Sequence, residues 1–88
     1  MITSYILDDE LLARRRVRQL IESEQGFRVL GENDSPQAGV EEIRALRPDV
    51  VFIDIQMPGS SGLDIAKQLA TDNVTPLLVF ITAYDEFA

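Results

Sequence analysis

A chain of 88 residues holds one small domain at most, and its 45% hydrophobic and 26% charged residues exclude intrinsic disorder and a coiled coil. The absence of histidine and cysteine excludes Ser-His and Cys-His nucleophile systems and a disulfide framework. With 15 acidic residues against 8 basic ones, the formal net charge of −7 disfavours direct nucleic-acid binding, and no apolar run approaches the roughly 18 residues of a membrane span.

The first third of the chain predicts a strand, a helix and a second strand. Ile2–Leu7 and residues 27–31 are apolar, β-branched runs. Between them, apolar side chains recur at i, i+4, i+7 and i+8, which predicts a helix with one buried face and a solvated face of arginines. The predicted buried face consists of Ala13, Val17, Leu20 and Ile21, and the solvated arginines are Arg14, Arg15, Arg16 and Arg18.

A second helix is predicted between Ser35 and Pro48. Ser35 suits the N-cap, and Pro36 suits the first helical position, where no backbone N–H is needed. Pro48 ends the helix. The predicted apolar face consists of Gly39, Ile43 and Leu46.

The remaining elements are a strand, a shorter helix and a fourth strand. Residues 50–55 and 77–82 are nearly continuous apolar runs, which are typical of strands covered on both faces in a parallel sheet. The helix covers residues 62–70, with Ile65 and Leu69 facing inward. Because strands alternate with helices, the predicted fold class is α/β, with a doubly wound, flavodoxin-like parallel sheet and helices on both faces.

Three aspartates fall at strand ends in this arrangement. Asp8 and Asp9 follow the first strand, and Asp54 interrupts an apolar run near the end of the third. In a flavodoxin-like sheet of strand order 2-1-3-4, these ends meet where the strand order reverses. Clustered carboxylates repel one another and offer hard oxygen ligands, which predicts a bound Mg²⁺. Asp8, Asp9 and Glu10 could instead cap the following helix, but this alternative leaves Asp54 unexplained.

Together these residues form a pattern that resembles bacterial response-regulator receiver domains over the whole chain. Its parts are the runs from Ile6 to Glu10, from Pro48 to Gly59 and from Phe80 to Ala83, together with Gly62, all at the spacing of the family. The resemblance implies the CheY-like form of the α/β fold. It also implies a phosphorylation switch that is not an enzyme and is driven by a sensor histidine kinase. The expected location is the cytoplasm, because the chain has no cysteine and no basic, signal-like start.

The resemblance also implies a role for each site residue. Asp54 would be the phosphoryl acceptor. Asp8 and Asp9 would hold Mg²⁺ together with Asp54 and the backbone carbonyl of Gln56. The Thr82 hydroxyl would bind the transferred phosphoryl group, and a bond formed only after phosphorylation can bias a two-state loop.

The end of the chain departs from the family pattern. Receiver domains have a fifth strand, which carries a lysine, and a last helix. Both are expected to be missing from residues 1–88, a truncated receiver domain without its output domain. The only lysine, Lys67, lies in the predicted third helix and cannot take that role. The ending 83–88 is similar to receivers that precede LytTR-type DNA-binding domains, which implies a transcription regulator that contacts DNA only through its output domain.

The fourth strand is expected to lie at the edge of the sheet. Unpaired N–H and C=O groups at such an edge can take up a strand of another chain. A homodimer or swapped oligomer is therefore predicted, with contacts through Leu77–Ile81 and the segment from Tyr84 to Phe87.

Two other functions stay open. The chain could be a receiver-like interaction fragment that is not phosphorylated, since the fifth-strand lysine is expected to be missing. It could also be an aspartate-nucleophile phosphatase of the haloacid-dehalogenase type. That family needs D-x-D at the nucleophile, whereas this chain has Asp54-Ile55-Gln56.

Overall fold

Strands and helices alternate along residues 1–81, the part of the chain that this computed structural model describes. Four strands and three helices form the main body, and a short antiparallel hairpin joins Gln56–Met57 to Ser60–Ser61. The order is β1 (Ile2–Leu7), α1 (Leu11–Glu22), β2 (Phe27–Asn33), α2 (Pro36–Leu46), β3 (Val50–Asp54), α3 (Gly62–Thr71) and β4 (Leu77–Ile81).

The four strands form one parallel sheet in the order β2-β1-β3-β4. This confirms the predicted α/β class, the CheY-like fold and the predicted strand order. β2 is two residues longer than predicted, because Glu32 and Asn33 continue the pairing with β1 although they are polar. In β3, the last residue is Asp54, whose register partner in β4 is Ile81.

The main core lies between the sheet and the helices α2 and α3. Side chains alternate along a strand, so Tyr5 and Leu7 of β1 face the same side as Val51 and Ile53 of β3. From the helices, the residues that pack against this face include Val40, Ile43, Ile65 and Leu69. The core therefore holds β1 and β3 side by side. Because the two strands are parallel, both end at the carboxyl edge of the sheet, where the chain leaves them.

Helix α2 begins as predicted. The Ser35 hydroxyl accepts a hydrogen bond from the Ala38 N–H at 3.4 Å, and Pro36 is the first helical residue. After Leu46 the helix ends at Arg47, which has a left-handed backbone with φ of 49°.

The predicted apolar faces of the helices are correct except at two leucines. Ile21, Ile43, Ile65 and Leu69 are buried, whereas Leu20 is 64% exposed and Leu46 is 43% exposed. Leu20 precedes Ile21 by one residue, which is about 100° around a helix, and so lies beside the contact stripe rather than on it. Leu46 is the last residue of α2. Within residues 1–81, no helix is long and apolar enough to cross a membrane.

Candidate functional site

Asp8, Asp9 and Asp54 meet at the carboxyl edge of the sheet. β1 ends at Leu7 and β3 ends at Asp54, and the two strands are direct neighbours with Leu7 paired to Ile53. One carboxylate oxygen from each of the three aspartates lies within 4.8 Å of the others. The convergence predicted from their positions at strand ends is therefore present in the folded chain.

Asp8 is the most buried member of this acidic cluster, with 4% of its surface exposed, while Asp9 and Asp54 are half-buried. Burial raises the pKa of Asp8 above its ordinary value, and the negative charges of Asp9 and Glu10 raise it further. A hydrogen bond from the Glu10 N–H to Asp8 Oδ1, 2.9 Å long, acts in the opposite direction. The positive charge of Arg14 also lowers the pKa of Asp8, but to a smaller extent. The folded chain thus concentrates negative charge at a place that favours binding of a proton or a cation.

The contacts of the acidic loop after β1, which contains Asp8, Asp9 and Glu10, do not favour the alternative that these residues cap α1. Glu10 occupies the N-cap position of α1, and its side chain makes no capping hydrogen bond. Asp8 instead fixes the turn between β1 and α1 by accepting from the Glu10 backbone. The acidic residues after β1 therefore order their own loop, with Asp8 and Asp9 directed at Asp54.

Helix α3 begins directly against the backbone that follows Asp54. The Gly62 N–H donates to the Ile55 carbonyl at 3.0 Å. A Cβ at position 62 would lie 2.9 Å from the Asp54 carbonyl oxygen and 3.1 Å from the Phe80 ring. Only glycine permits this approach. The sequence pattern included Gly62 without giving it this function.

An ion-pair network that was not predicted from the sequence joins α1 to the end of β2. Arg14 Nε lies 2.9 Å from Glu32 Oε2, and Arg18 Nη1 lies 2.7 Å from Glu32 Oε1. Burial raises the pKa of Glu32, but the hydrogen bonds from Arg18 and Arg14 outweigh burial and hold that pKa below its ordinary value. The prediction that these arginines form a solvated face is wrong for Arg14, whose side chain is only 13% exposed. The sequence feature that could have indicated this network is Glu32, a carboxylate near the end of the second strand.

Two further predicted site residues are Gln56 and Thr82. Gln56 opens the short hairpin two residues after Asp54, and its carbonyl as a metal ligand stays a prediction. Thr82 lies outside the described residues, as does the segment from Tyr84 to Phe87. In the sequence, Thr82 follows Ile81, the register partner of Asp54.

Comparison with known proteins identifies the family. The model of the response regulator receiver domain matches residues 5–88. BtsR, a transcriptional regulatory protein of Escherichia coli K12, is 41% identical over 88 residues, which are 100% of this chain and 36% of BtsR. LytT, a sensory transduction protein of Bacillus cereus, is 39% identical over 88 residues, again 36% of the relative. The chain thus belongs to the response-regulator receiver family and is a receiver domain of a two-component system.

A solved receiver domain supports the same assignment. The signal receiver domain of NarL from Mycobacterium tuberculosis has a TM-score of 0.88 and 30% sequence identity, covering 97% of this chain and 68% of that one. The present chain spans about a third of the length of the curated relatives (36%). Family membership favours a signalling switch over the phosphatase alternative.

Proposed function

We propose that this receiver domain accepts a phosphoryl group on Asp54 from a sensor histidine kinase, with Mg²⁺ bound beside it. The observation that carries the proposal is the convergence of three carboxylates within 4.8 Å at the ends of two adjacent strands. A half-buried carboxylate at a strand end beside other carboxylates is costly to fold, which is a reason to expect a function.

The donor set fits Mg²⁺. It consists of carboxylate oxygens from Asp8, Asp9 and Asp54, which are hard ligands, and an edge position leaves room for the waters that Mg²⁺ retains. The Gln56 carbonyl is proposed as a further ligand, since it follows Asp54 by two residues. When bound, Mg²⁺ would neutralise negative charge on the oxygens of the transferring phosphoryl group.

Asp54 would act as the nucleophile of the transfer. Its carboxylate oxygen attacks the phosphorus of a phosphohistidine, the phosphorus–nitrogen bond breaks, and the products are an aspartyl phosphate and a free histidine. The Thr82 hydroxyl would then donate a hydrogen bond to a phosphoryl oxygen. That bond is possible only in the phosphorylated state, so it would bias the receiver towards one of two conformations.

Labelling with a small phosphodonor tests the acceptor. In the full-length protein, acetyl phosphate with Mg²⁺ should label Asp54 with an acid-stable, base-labile phosphoryl group, and Asp54→Asn should abolish the label. Residues 1–88 alone should show little or no stable label. Asp34→Asn, which changes an exposed aspartate outside the acidic cluster, is the matched control and should be labelled normally. Label that persists in Asp54→Asn would place the chemistry on another residue.

The proposed output is transcription. BtsR is a transcriptional regulatory protein, and this chain matches about a third of it (36%). We therefore propose that phosphorylation here controls a LytTR-type DNA-binding domain in the cytoplasm, and that residues 1–88 do not themselves bind nucleic acid. The net charge of −7 supports the proposal that residues 1–88 leave DNA binding to another domain.

The proposed assembly is a homodimer or swapped oligomer. β4 lies at one edge of the sheet in the described residues, and Leu77 and Phe80 are 66% and 40% exposed. Contacts through Leu77–Ile81 and the segment from Tyr84 to Phe87 would cover these side chains. Light scattering should report more than one chain per particle, and a compact monomer at tens of micromolar would refute the proposal.

A further inference from the structure

Arg14 connects the acidic loop to the rest of the fold. It lies in the first turn of α1, and its own N–H donates to the Glu10 carbonyl at 3.0 Å. Its guanidinium reaches back towards the sheet, with Nη1 2.9 Å from the Asp8 carbonyl oxygen and Nε 2.9 Å from Glu32 Oε2. One planar, rigid group thus bridges the loop after β1 and the end of β2.

Asp8 and the peptide that joins it to Asp9 are held from several directions. The Asp8 N–H donates to the Asn33 carbonyl at 3.2 Å, Asp8 Oδ1 accepts from the Glu10 N–H, and the Asp8 carbonyl accepts from Arg14. Rotation of this peptide would move the carboxylates of both Asp8 and Asp9. Of these contacts, the bond from Arg14 is the one made by a side chain of another element.

We propose that Arg14 is a positioning residue for metal binding, which holds the Asp8–Asp9 peptide so that both carboxylates stay directed at Asp54; this inference rests on the proposed Mg²⁺ site. Without that bond, repulsion among the three carboxylates would turn the metal-free loop outwards, and cation binding would have to reverse the change. Partners that orient metal ligands commonly contribute 10–100-fold to metal affinity.

The direction in which metal affinity changes when Arg14 is removed distinguishes a positioning role from an effect of its charge. A guanidinium beside a cation site repels the cation, so an effect of charge alone predicts tighter metal binding when Arg14 is removed. This holds at a pH well above the raised pKa of Asp8, where losing the Arg14 charge, which lowers that pKa, no longer changes the protonation of the carboxyl, and the titration is done there. Positioning predicts weaker binding. The two explanations therefore require opposite changes in one measured constant.

Arg18 provides a matched control. It pairs with the same carboxylate, with Nη1 2.7 Å from Glu32 Oε1, and it lies on the same helix. Its hydrogen bonds go to Glu22 and Glu32, and none to Asp8 is present among the described contacts. Arg18→Ala thus removes an ion pair of the network while the bond from Arg14 to Asp8 stays in place.

The test is titration of the protein with Mn²⁺, followed by electron paramagnetic resonance. We expect Arg14→Ala to weaken Mn²⁺ binding about 10-fold and Arg18→Ala to change it less than about twofold. Arg14→Lys keeps the charge, but one ammonium group cannot reproduce the fork that joins Asp8 to Glu32, so binding should stay weak. Unchanged or tighter binding in Arg14→Ala overturns the inference, and if that variant fails to fold, wild-type affinity in Arg14→Lys does so.

Hydrogen exchange of the Glu10 amide gives a second readout in metal-free protein. Exchange should be faster in Arg14→Ala than in wild type and unaltered in Arg18→Ala, because only the former frees the loop. Equal protection in all three proteins overturns the positioning role. If wild type itself fails to bind Mn²⁺, the proposed metal site is wrong and so is a role for Arg14 in metal binding. Wild-type binding with an unaffected Arg14→Ala refutes only the inference.

Discussion

Two aspartates lie near opposite ends of the β1–β3 pair and have opposite electrostatic environments. At the amino end, Asp49 Oδ2 accepts hydrogen bonds from the N–H and the hydroxyl of Thr3, at 2.9 and 3.0 Å. These bonds hold the pKa of Asp49 below its ordinary value. At the carboxyl end, burial and neighbouring charges raise the pKa of Asp8.

This difference means that one of the two aspartates stabilises the pair of strands and the other does not. The Asp49 carboxylate is satisfied by donors from the first strand and helps to join β1 to β3. The Asp8 carboxylate is buried beside other carboxylates, so the metal-free fold is less stable for having it charged. The same residue type therefore stabilises one end, whereas at the other end it supplies a negative charge that the proposed Mg²⁺ would neutralise.

The largest effect is expected for metal binding at the acidic end. Asp9→Asn should weaken Mg²⁺ or Mn²⁺ binding at least about 10-fold, because it removes one of the proposed carboxylate ligands. Asp49→Asn, at the other end, should leave metal affinity unchanged. Calorimetric titration of both variants checks this, and equal affinities in Asp9→Asn and wild type would remove Asp9 from the site.

Gly62→Ala should disturb the acidic end through its backbone. The new Cβ would lie 2.9 Å from the Asp54 carbonyl oxygen and 3.2 Å from Ile55 Cα, so backbone must move. We expect a loss of about 1–3 kcal/mol in the free energy of unfolding, together with weaker metal binding.

Gly39→Ala is the control for that variant. Its Cβ would meet the end of the Leu7 side chain at 2.5 Å, and its nearest contacts are all atoms of Leu7 rather than of Asp54. It should lower stability without weakening metal binding. Urea unfolding and metal titration of both variants check the distinction, and normal metal binding by Gly62→Ala would contradict it.

Asp8→Asn should stabilise the metal-free protein by about 1 kcal/mol at pH 7, the repulsion between two like charges about 4 Å apart when water screens them fully. Asparagine can still accept from the Glu10 N–H. Because the folded-state pKa of Asp8 is raised, wild type should gain stability as the pH falls towards that pKa, and the variant should lack this gain. Urea unfolding between pH 7 and pH 4 without metal is the measurement, and a less stable variant at pH 7 would reject the explanation.

The smallest effect is expected at the amino end. Because the pKa of Asp49 is depressed, its contribution is complete above its ordinary value of 3.8 and is lost as the pH falls through the folded-state value. Asp49→Asn should therefore be slightly less stable than wild type at pH 7. The two proteins should converge in acid, and a difference that grows below pH 4 would count against this role.

Some features could be read directly from the sequence because they depend on local periodicity. Apolar runs predicted the strands, and the Ser35–Pro36 pair predicted the start of α2. The aspartates follow or end strands whose carboxyl ends lie at one edge of a parallel sheet. This was sufficient to predict that Asp8, Asp9 and Asp54 meet.

The tertiary structure decided which partners each side chain has. Helical periodicity indicates which residues can face the sheet, but the exposure of Leu20 depends on how α1 lies on it. Arg14 and Glu32 pair because α1 packs against β2, a contact between residues 18 positions apart. Asp8 and Asp9 are identical neighbours in sequence, yet only Asp8 is buried. Electrostatic environment depends on distances across the fold, which no local pattern encodes.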